Sequence, residues 1–423
     1  MTKSQRGPAV EHFSDLLKIQ PDGSPRLLPN IHHIPELLDL DAETVLARFK
    51  ADQRKDFSRI IAELNEPDNP LYHLFDELRA IAARDPNNRF GQTALFRTGK
   101  LEHQFQHLHD HVMDHPVWRH PFFVRMFEGR FTSRQLVRFA LQYFNQVKNT
   151  RQCVALALGR FSGFQDLPYG TLNERVSELT QIVLAQLIAD EYGVGSHELD
   201  DYPSMAGLFG SATHIVMYRK LFDGLGIPFE EQDVAMLQGV ADNVLTQRLV
   251  AGDPVFSRLE ALSSVGLGME WGVPEFFTLL LGGVVRHAWR NDVPITADHL
   301  DVFIAHVKYD VLHAISVMLV TSFYAEDEKA VDRIKGAVNA LMAGRYGMMT
   351  EMYRHVFDED CAGLADIHPA DRYRLRDRRI EQALLRARGE VADATVIDAA
   401  AYKQRQDTPY VFAQVVPPLE QTP

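Results

Sequence analysis

The chain has 423 residues, 46% of them hydrophobic and 24% charged, and carries a net charge of −13. That length suits two domains, or one large helical domain with extensions. The acidity argues against a sequence-independent grip on nucleic acid and against attraction to anionic membranes, so a small molecule is the expected partner.

The N-terminal stretch MTKSQRGPAVEHF lacks the apolar segment of a secretory signal. No apolar run is long enough to cross a bilayer. Only two cysteines occur, Cys153 and Cys361, which excludes a disulfide scaffold and a CxxC zinc site. A reducing, cytoplasmic setting is therefore expected. Residues 1–100 place Pro-rich pieces (20–29 and 66–70) around two or three helical stretches. They are expected to form an N-terminal extension that packs on the core or makes a homodimer contact. His103, His107, His109, His111, His115 and His120 follow. The i,i+4 pairs within this run are a possible metal site, but the simpler expectation is a polar helix face leading into the core.

Residues 101–360 hold the long amphipathic patterns, with apolar residues three and four apart over 133–160, 173–191, 213–223 and 298–324. Pro and Gly clusters such as Gly224-Leu225-Gly226-Ile227-Pro228 punctuate them. The first helix carries Cys153 among Val154, Ala155 and Leu156, where an inert packed thiol is expected rather than a nucleophile. The second ends at Glu191. His197 follows in the polar stretch SHELDDYP, where a solvated loop residue is expected. The third opens on His214 and continues with Ile215, Val216, Met217, Leu221 and Phe222. In GLGMEWGVPEFF, Glu270 sits among Val265, Leu267, Met269, Trp271 and Val273, where a carboxylate is costly to bury unless paired or ligated. Glu275, five residues on, should face elsewhere.

HVKYDVLH is the sharpest motif: offsets of four and three put His306, Asp310 and His313 on one helical face. Two imidazoles and a carboxylate suit a divalent metal such as iron or manganese. The alternative is a partly exposed helix that carries them by chance. Residues 361–423 hold a charged helix over 370–388 and a tail with Pro417-Pro418; Tyr410-Val411-Phe412 is the one short strand candidate. An all-α fold is expected.

Glu191, His214, Glu270, His306, Asp310 and His313 together supply three carboxylates and three imidazoles from four helical segments, the kind of set from which helical bundles build di-iron sites. The order Glu … His … Glu-x-x-x-Pro-Glu … His-x-x-x-Asp-x-x-His resembles the haem-oxygenase-like di-iron oxidases and oxygenases. This superfamily also includes thiaminase-II-like proteins and pyrroloquinoline-quinone synthase. Residues 214–227 resemble its His-x-x-x-aromatic … Gly-Leu-Gly helix, and residues 114–144 its first core helices. The resemblance spans about residues 101–330. It implies a haem-oxygenase-like bundle with N- and C-terminal extensions, the six residues above as metal ligands, two Fe(II) per chain and O2 as co-substrate. It further implies oxidation of a small amino-acid- or fatty-acid-like molecule, with an external electron donor. In this family the early Glu and His lie closer together, so residues 196–212 are read as an inserted loop, with His197 a substitute ligand. Tyr309 is expected to support the ligands, and Met217, Tyr218, Phe303 and Tyr309 to wall the pocket. The alternatives are a metal-free thiaminase-like or cofactor-biosynthetic enzyme on the same scaffold, or a non-catalytic helical binding module.

Overall fold

The computed structural model describes residues 41–63, 66–69, 98–161, 169–193, 213–325 (except 292, 294 and 297) and 329–361. Isolated positions at 72–80, 167 and 377–397 are also described. Eleven α-helices run through them: α1 (Ala42–Glu63), α2 (Thr98–Met113), α3 (Pro121–Phe127), α4 (Ser133–Gly159), α5 (Asn173–Glu191), α6 (His214–Gly224), α7 (Gln238–Gly252), α8 (Arg258–Ser263), α9 (Val273–Asn291), α10 (Asp301–Ser322) and α11 (Ala330–Phe357). A π-helical segment, Ser264–Glu270, joins α8 to the turn before α9. The fold is all-α. The described strands are two residues each, Met236–Leu237 and Val396–Ile397, paired antiparallel. The Tyr410–Phe412 candidate lies outside the described residues, as does most of the 370–388 helix.

The four helices expected from periodicity all form, with ends shifted by no more than three residues. Local chemistry sets several of those ends. Thr132 and Gln135 close a reciprocal capping box at the start of α4, and Ser257 and Glu260 do the same for α8. The Thr213 hydroxyl accepts from the Val216 N–H, so α6 starts with His214 as its first residue.

One continuous apolar core joins these helices. The long α4, α10 and α11 form its frame: α7 packs on α4 and α11, α5 lies along α4 and α10, and α9 pairs with α10. α1 rests on α2, where Lys50 and Arg54 pair with Asp110 and Lys50 also reaches Asp114. No described helix is long and apolar enough to cross a membrane.

Half of the histidine-rich run forms the expected polar face, with His103 and His107 exposed and His111 half-buried against Asn339; the other half does not. His109, His115 and His120 are almost fully buried. The His115 and His120 Nδ1 atoms accept from the Val117 and Phe122 N–H groups, capping a short 3₁₀ turn and α3. His109 bridges the Lys50 carbonyl and the Trp271 indole N–H. Capping and core packing claim these rings, because an imidazole can satisfy two backbone or side-chain partners at once.

Candidate metal centre

α10 brings three of the expected ligands to the middle of the bundle. His306 and Asp310 are buried and His313 is half-buried. The His306 ring stacks on Phe277 (centroids 4.3 Å apart, planes at 13°) and lies 4.4 Å from the His214 ring. Its Nδ1–H donates to the Val302 carbonyl at 2.7 Å, leaving the Nε2 lone pair free for a ligand. Burial, followed by the neighbouring His214, pushes the His306 imidazole down to about 3, so it is neutral at physiological pH.

α5 ends on Glu191 and α6 begins on His214, so one helix terminus faces the other. The Glu191 carboxylate and the His214 Nδ1 approach to 3.0 Å, yet that nitrogen is buried and forms no aligned hydrogen bond. This off-axis contact is what two ligands of one ion show, since neighbouring donors about 2.1 Å from a metal lie about 3 Å apart. Burial alone would raise the Glu191 carboxyl, but the His214 imidazole outweighs it and holds the group below the usual range. His214 is raised in turn, because Glu191 overcomes its burial.

The π-helical segment presents Glu270. Its backbone carries an i,i+5 bond from the Trp271 N–H to the Gly266 carbonyl at 2.9 Å. The extra residue in that turn re-aims the side chains around it. Gly266 and Gly268 let it sit between two helices: a Cβ at Gly266 would meet Val317 at 3.0 Å, and one at Gly268 would meet Leu341 at 2.6 Å. Glu270 is 2% exposed, and its Oε1 has no hydrogen-bond partner. Asp310 Oδ2 is orphaned in the same way. Burial, reinforced by neighbouring carboxylates, raises both acids well above the ordinary carboxylate range.

All six expected residues thus converge, in two contiguous groups: Glu191, His214 and His306, and Glu270, Asp310 and His313. Within each group the donor atoms lie within 4.8 Å of one another. The first is a two-histidine, one-carboxylate set, the donor type of non-haem Fe(II) sites. The second is richer in carboxylate. These residues fit a pair of divalent ions: two buried carboxylate oxygens and one imidazole nitrogen have no other partner, and an isolated buried polar group is expensive.

Sequence reasoning missed Asp190. Its Oδ2 accepts from the His313 Nε2–H at 2.9 Å, which turns Nδ1 toward Asp310 Oδ1 (3.5 Å) and Glu270 Oε2 (4.0 Å). A carboxylate behind a ligating histidine fixes its tautomer and raises its basicity. The signal was present in DEYG, but an acid at a helix C-terminus reads as solvated. Asp190→Asn is expected to weaken metal binding at the Glu270–Asp310–His313 group about 10- to 100-fold. Its unfolding free energy should change by no more than about 0.5 kcal/mol, because the Asp190 side chain is 33% exposed. A chelator-competition titration, read beside thermal unfolding, checks both; unchanged metal affinity would remove Asp190 from the site.

A pocket of about 430 Å³, counting its open mouth, reaches the centre. Glu191, Glu270, His306 and Asp310 form its floor. Its walls are Tyr143, Gln146, Val147, Thr150, Met269, Val273, Phe277 and Arg345. Met217, Tyr218 and Phe303, expected as walls, do not line it. Tyr218 is fully buried, and its hydroxyl donates to the Ala140 carbonyl at 2.9 Å. Cys153 is buried, with its thiol pushed up to about 12 by burial, and it accepts from the Asn149 amide at 3.3 Å, as a packed thiol does. His197, residues 196–212 and the side chains of Glu275 and Tyr309 lie outside the described residues. No family model matches the chain, and no curated protein matches it.

Proposed function

We propose that this protein is a non-haem di-iron oxidase or oxygenase with a haem-oxygenase-like bundle, which uses O2 to oxidise a small organic molecule. The observation that carries the reading is the pair of contiguous acid–histidine groups with orphaned buried donor atoms at the base of a pocket. Glu191, His214 and His306 hold one Fe(II), and Glu270, Asp310 and His313 hold the other. When bound, the iron pair supplies O2 activation, and an external donor restores its electrons.

The chain's own residues do the remaining work. Phe277 and the Val302 carbonyl lock His306 in one orientation. Asp190 does so for His313. Met269, Val273 and Phe277 place apolar surface beside the charged groups, which strengthens the charge interactions there. Tyr143, whose phenol is held neutral by burial, places a protonated hydroxyl group on the same pocket wall.

Anaerobic protein should take up about two Fe(II) per chain and then consume O2 on exposure to air, as expected of a two-metal carboxylate–imidazole bundle site. Metal analysis after desalting and an oxygen electrode measure the two outcomes. Tight retention of zinc, with no O2 uptake after iron reconstitution, would count against the proposal.

A further inference from the structure

Arg345 comes from the middle of α11 and forms part of the pocket wall. It is 7% exposed. Its Nη1 is buried without a hydrogen-bond partner, and among the described residues it makes no hydrogen bond or ion pair. Its one described ring contact is a distant one, with the guanidinium carbon 5.9 Å from the Phe276 centroid. A guanidinium stays protonated at any physiological pH, so this is a permanent buried cation. Unpaired buried charges are strongly destabilising and persist where a partner arrives from outside.

The obvious internal partner is Glu270, which shares the pocket and feels Arg345 electrostatically. It does not pair with it. If Glu270 serves as a ligand, its charge goes to the metal. Two divalent ions are balanced by three carboxylates and by Asp190 behind His313, so the Arg345 guanidinium is left as a positive charge without a counter-ion. A largely enclosed pocket with that balance attracts an anion.

We propose that Arg345 is the anchor for the substrate's carboxylate, and that the pocket takes a small monocarboxylate with a mostly apolar body. The inference deepens the di-iron reading and rests on it for the charge balance, but the guanidinium and its pocket exist without metal. The planar fork of an arginine matches a carboxylate in two parallel hydrogen bonds. The Tyr143 ring, Val147, Met269, Val273 and Phe277 supply the apolar lining for the remainder. The enclosed part of the pocket is narrow, so the body is short or folded.

Equilibrium binding tests this without turnover. Butyrate, octanoate, phenylacetate and L-norleucine are each compared with the matching primary amide by calorimetry, on the full chain, metal-free and anaerobically loaded with Fe(II). At least one acid should bind about 10- to 100-fold more tightly than its amide, the discrimination expected of a charged hydrogen-bonding anchor. Preference for norleucine over octanoate would mark an amino-acid substrate, and the reverse a fatty-acid-like one. Arg345→Met should erase the acid-over-amide preference, and Arg345→Lys should keep part of it. Removing an unpaired buried charge favours folding of Arg345→Met, and circular dichroism verifies this. If no acid outbinds its amide, or if Arg345→Met keeps the preference, the proposal is overturned. If the Arg345-dependent preference holds but iron is not taken up, the anchor stands and the di-iron reading fails.

Discussion

Asp310→Asn should halve the metal content, from about two ions per chain to about one, while making the metal-free protein more stable. Asp310 supplies the group that includes Glu270 and His313, and its Oδ2 has no protein partner. An amide is a poor ligand, so that ion is lost. Burial raises the Asp310 carboxyl far above its unfolded value, and the nearby Glu191 adds to the effect. A carboxyl raised on folding contributes stability below its unfolded value, and that contribution is lost as pH rises through the folded one. At neutral pH the native Asp310 is therefore a burden on the metal-free fold, and asparagine relieves it by about 0.5–2 kcal/mol. His306→Ala should empty the other group and leave the Asp310 ion in place. Either variant should lower O2 consumption to background if the proposed reaction uses both ions. Metal analysis of the two single variants and the double variant, beside denaturant unfolding of metal-free samples, checks the set. Two ions retained by Asp310→Asn would break the ligand assignment.

Iron binding and folding should be tightly coupled, and iron affinity should depend on pH in one direction. In the metal-free centre burial and neighbouring acids raise Glu270 and Asp310 well above the usual carboxylate range, and Glu191 overcomes burial to raise His214. Ligation requires every proton still held by these groups to leave. Metal affinity should therefore rise with pH, by about tenfold per pH unit for each proton still bound. Calorimetry in buffers of different ionisation enthalpy counts the protons released; a count of zero would refute the picture. At free Fe(II) of about a thousand times its dissociation constant, the native state should gain about 4 kcal/mol. That gain should concentrate where the charges converge. Hydrogen exchange over residues 300–315 should slow when anaerobic Fe(II) is added, since strain at a buried charge is relieved by local opening. Equal protection with and without metal would mean a preformed site, and the coupling would have to be abandoned.

Much of this centre was legible in one dimension because helices convert spacing into facing. His306, Asp310 and His313 are one motif on one helix, and offsets of four and three leave no freedom about their shared side. Glu191, His214 and Glu270 were legible for a different reason. Each is a titratable residue in or at the end of an apolar pattern, where burial without a ligand is costly. The histidine-rich run shows the limit of that reasoning. His107 and His111 do lie on a polar face, but His109, His115 and His120 are spent on capping and packing. Partners as remote as the Lys50 carbonyl leave no trace in local spacing.

The sequence by itself determined the all-α class, the bounds of four of the helices and the six residues that converge as candidate ligands, because period, caps and the cost of buried charge are local properties. The tertiary structure alone decided how those ligands divide into two groups, which nitrogen of each histidine is turned inward, and what surrounds them. Asp190 acquires its role only because α5 lies along α10, which sets it behind His313. Arg345 reads as an ordinary arginine among Leu341, Met342 and Met348 until α11 closes over the pocket. The walls expected within one turn of the ligands, Met217, Tyr218 and Phe303, went to the core instead, and α4 supplied Tyr143, Gln146, Val147 and Thr150, far from every candidate ligand along the chain. A pocket wall is set by which helices pack together, and packing depends on the complementarity of whole faces rather than on any spacing within one segment.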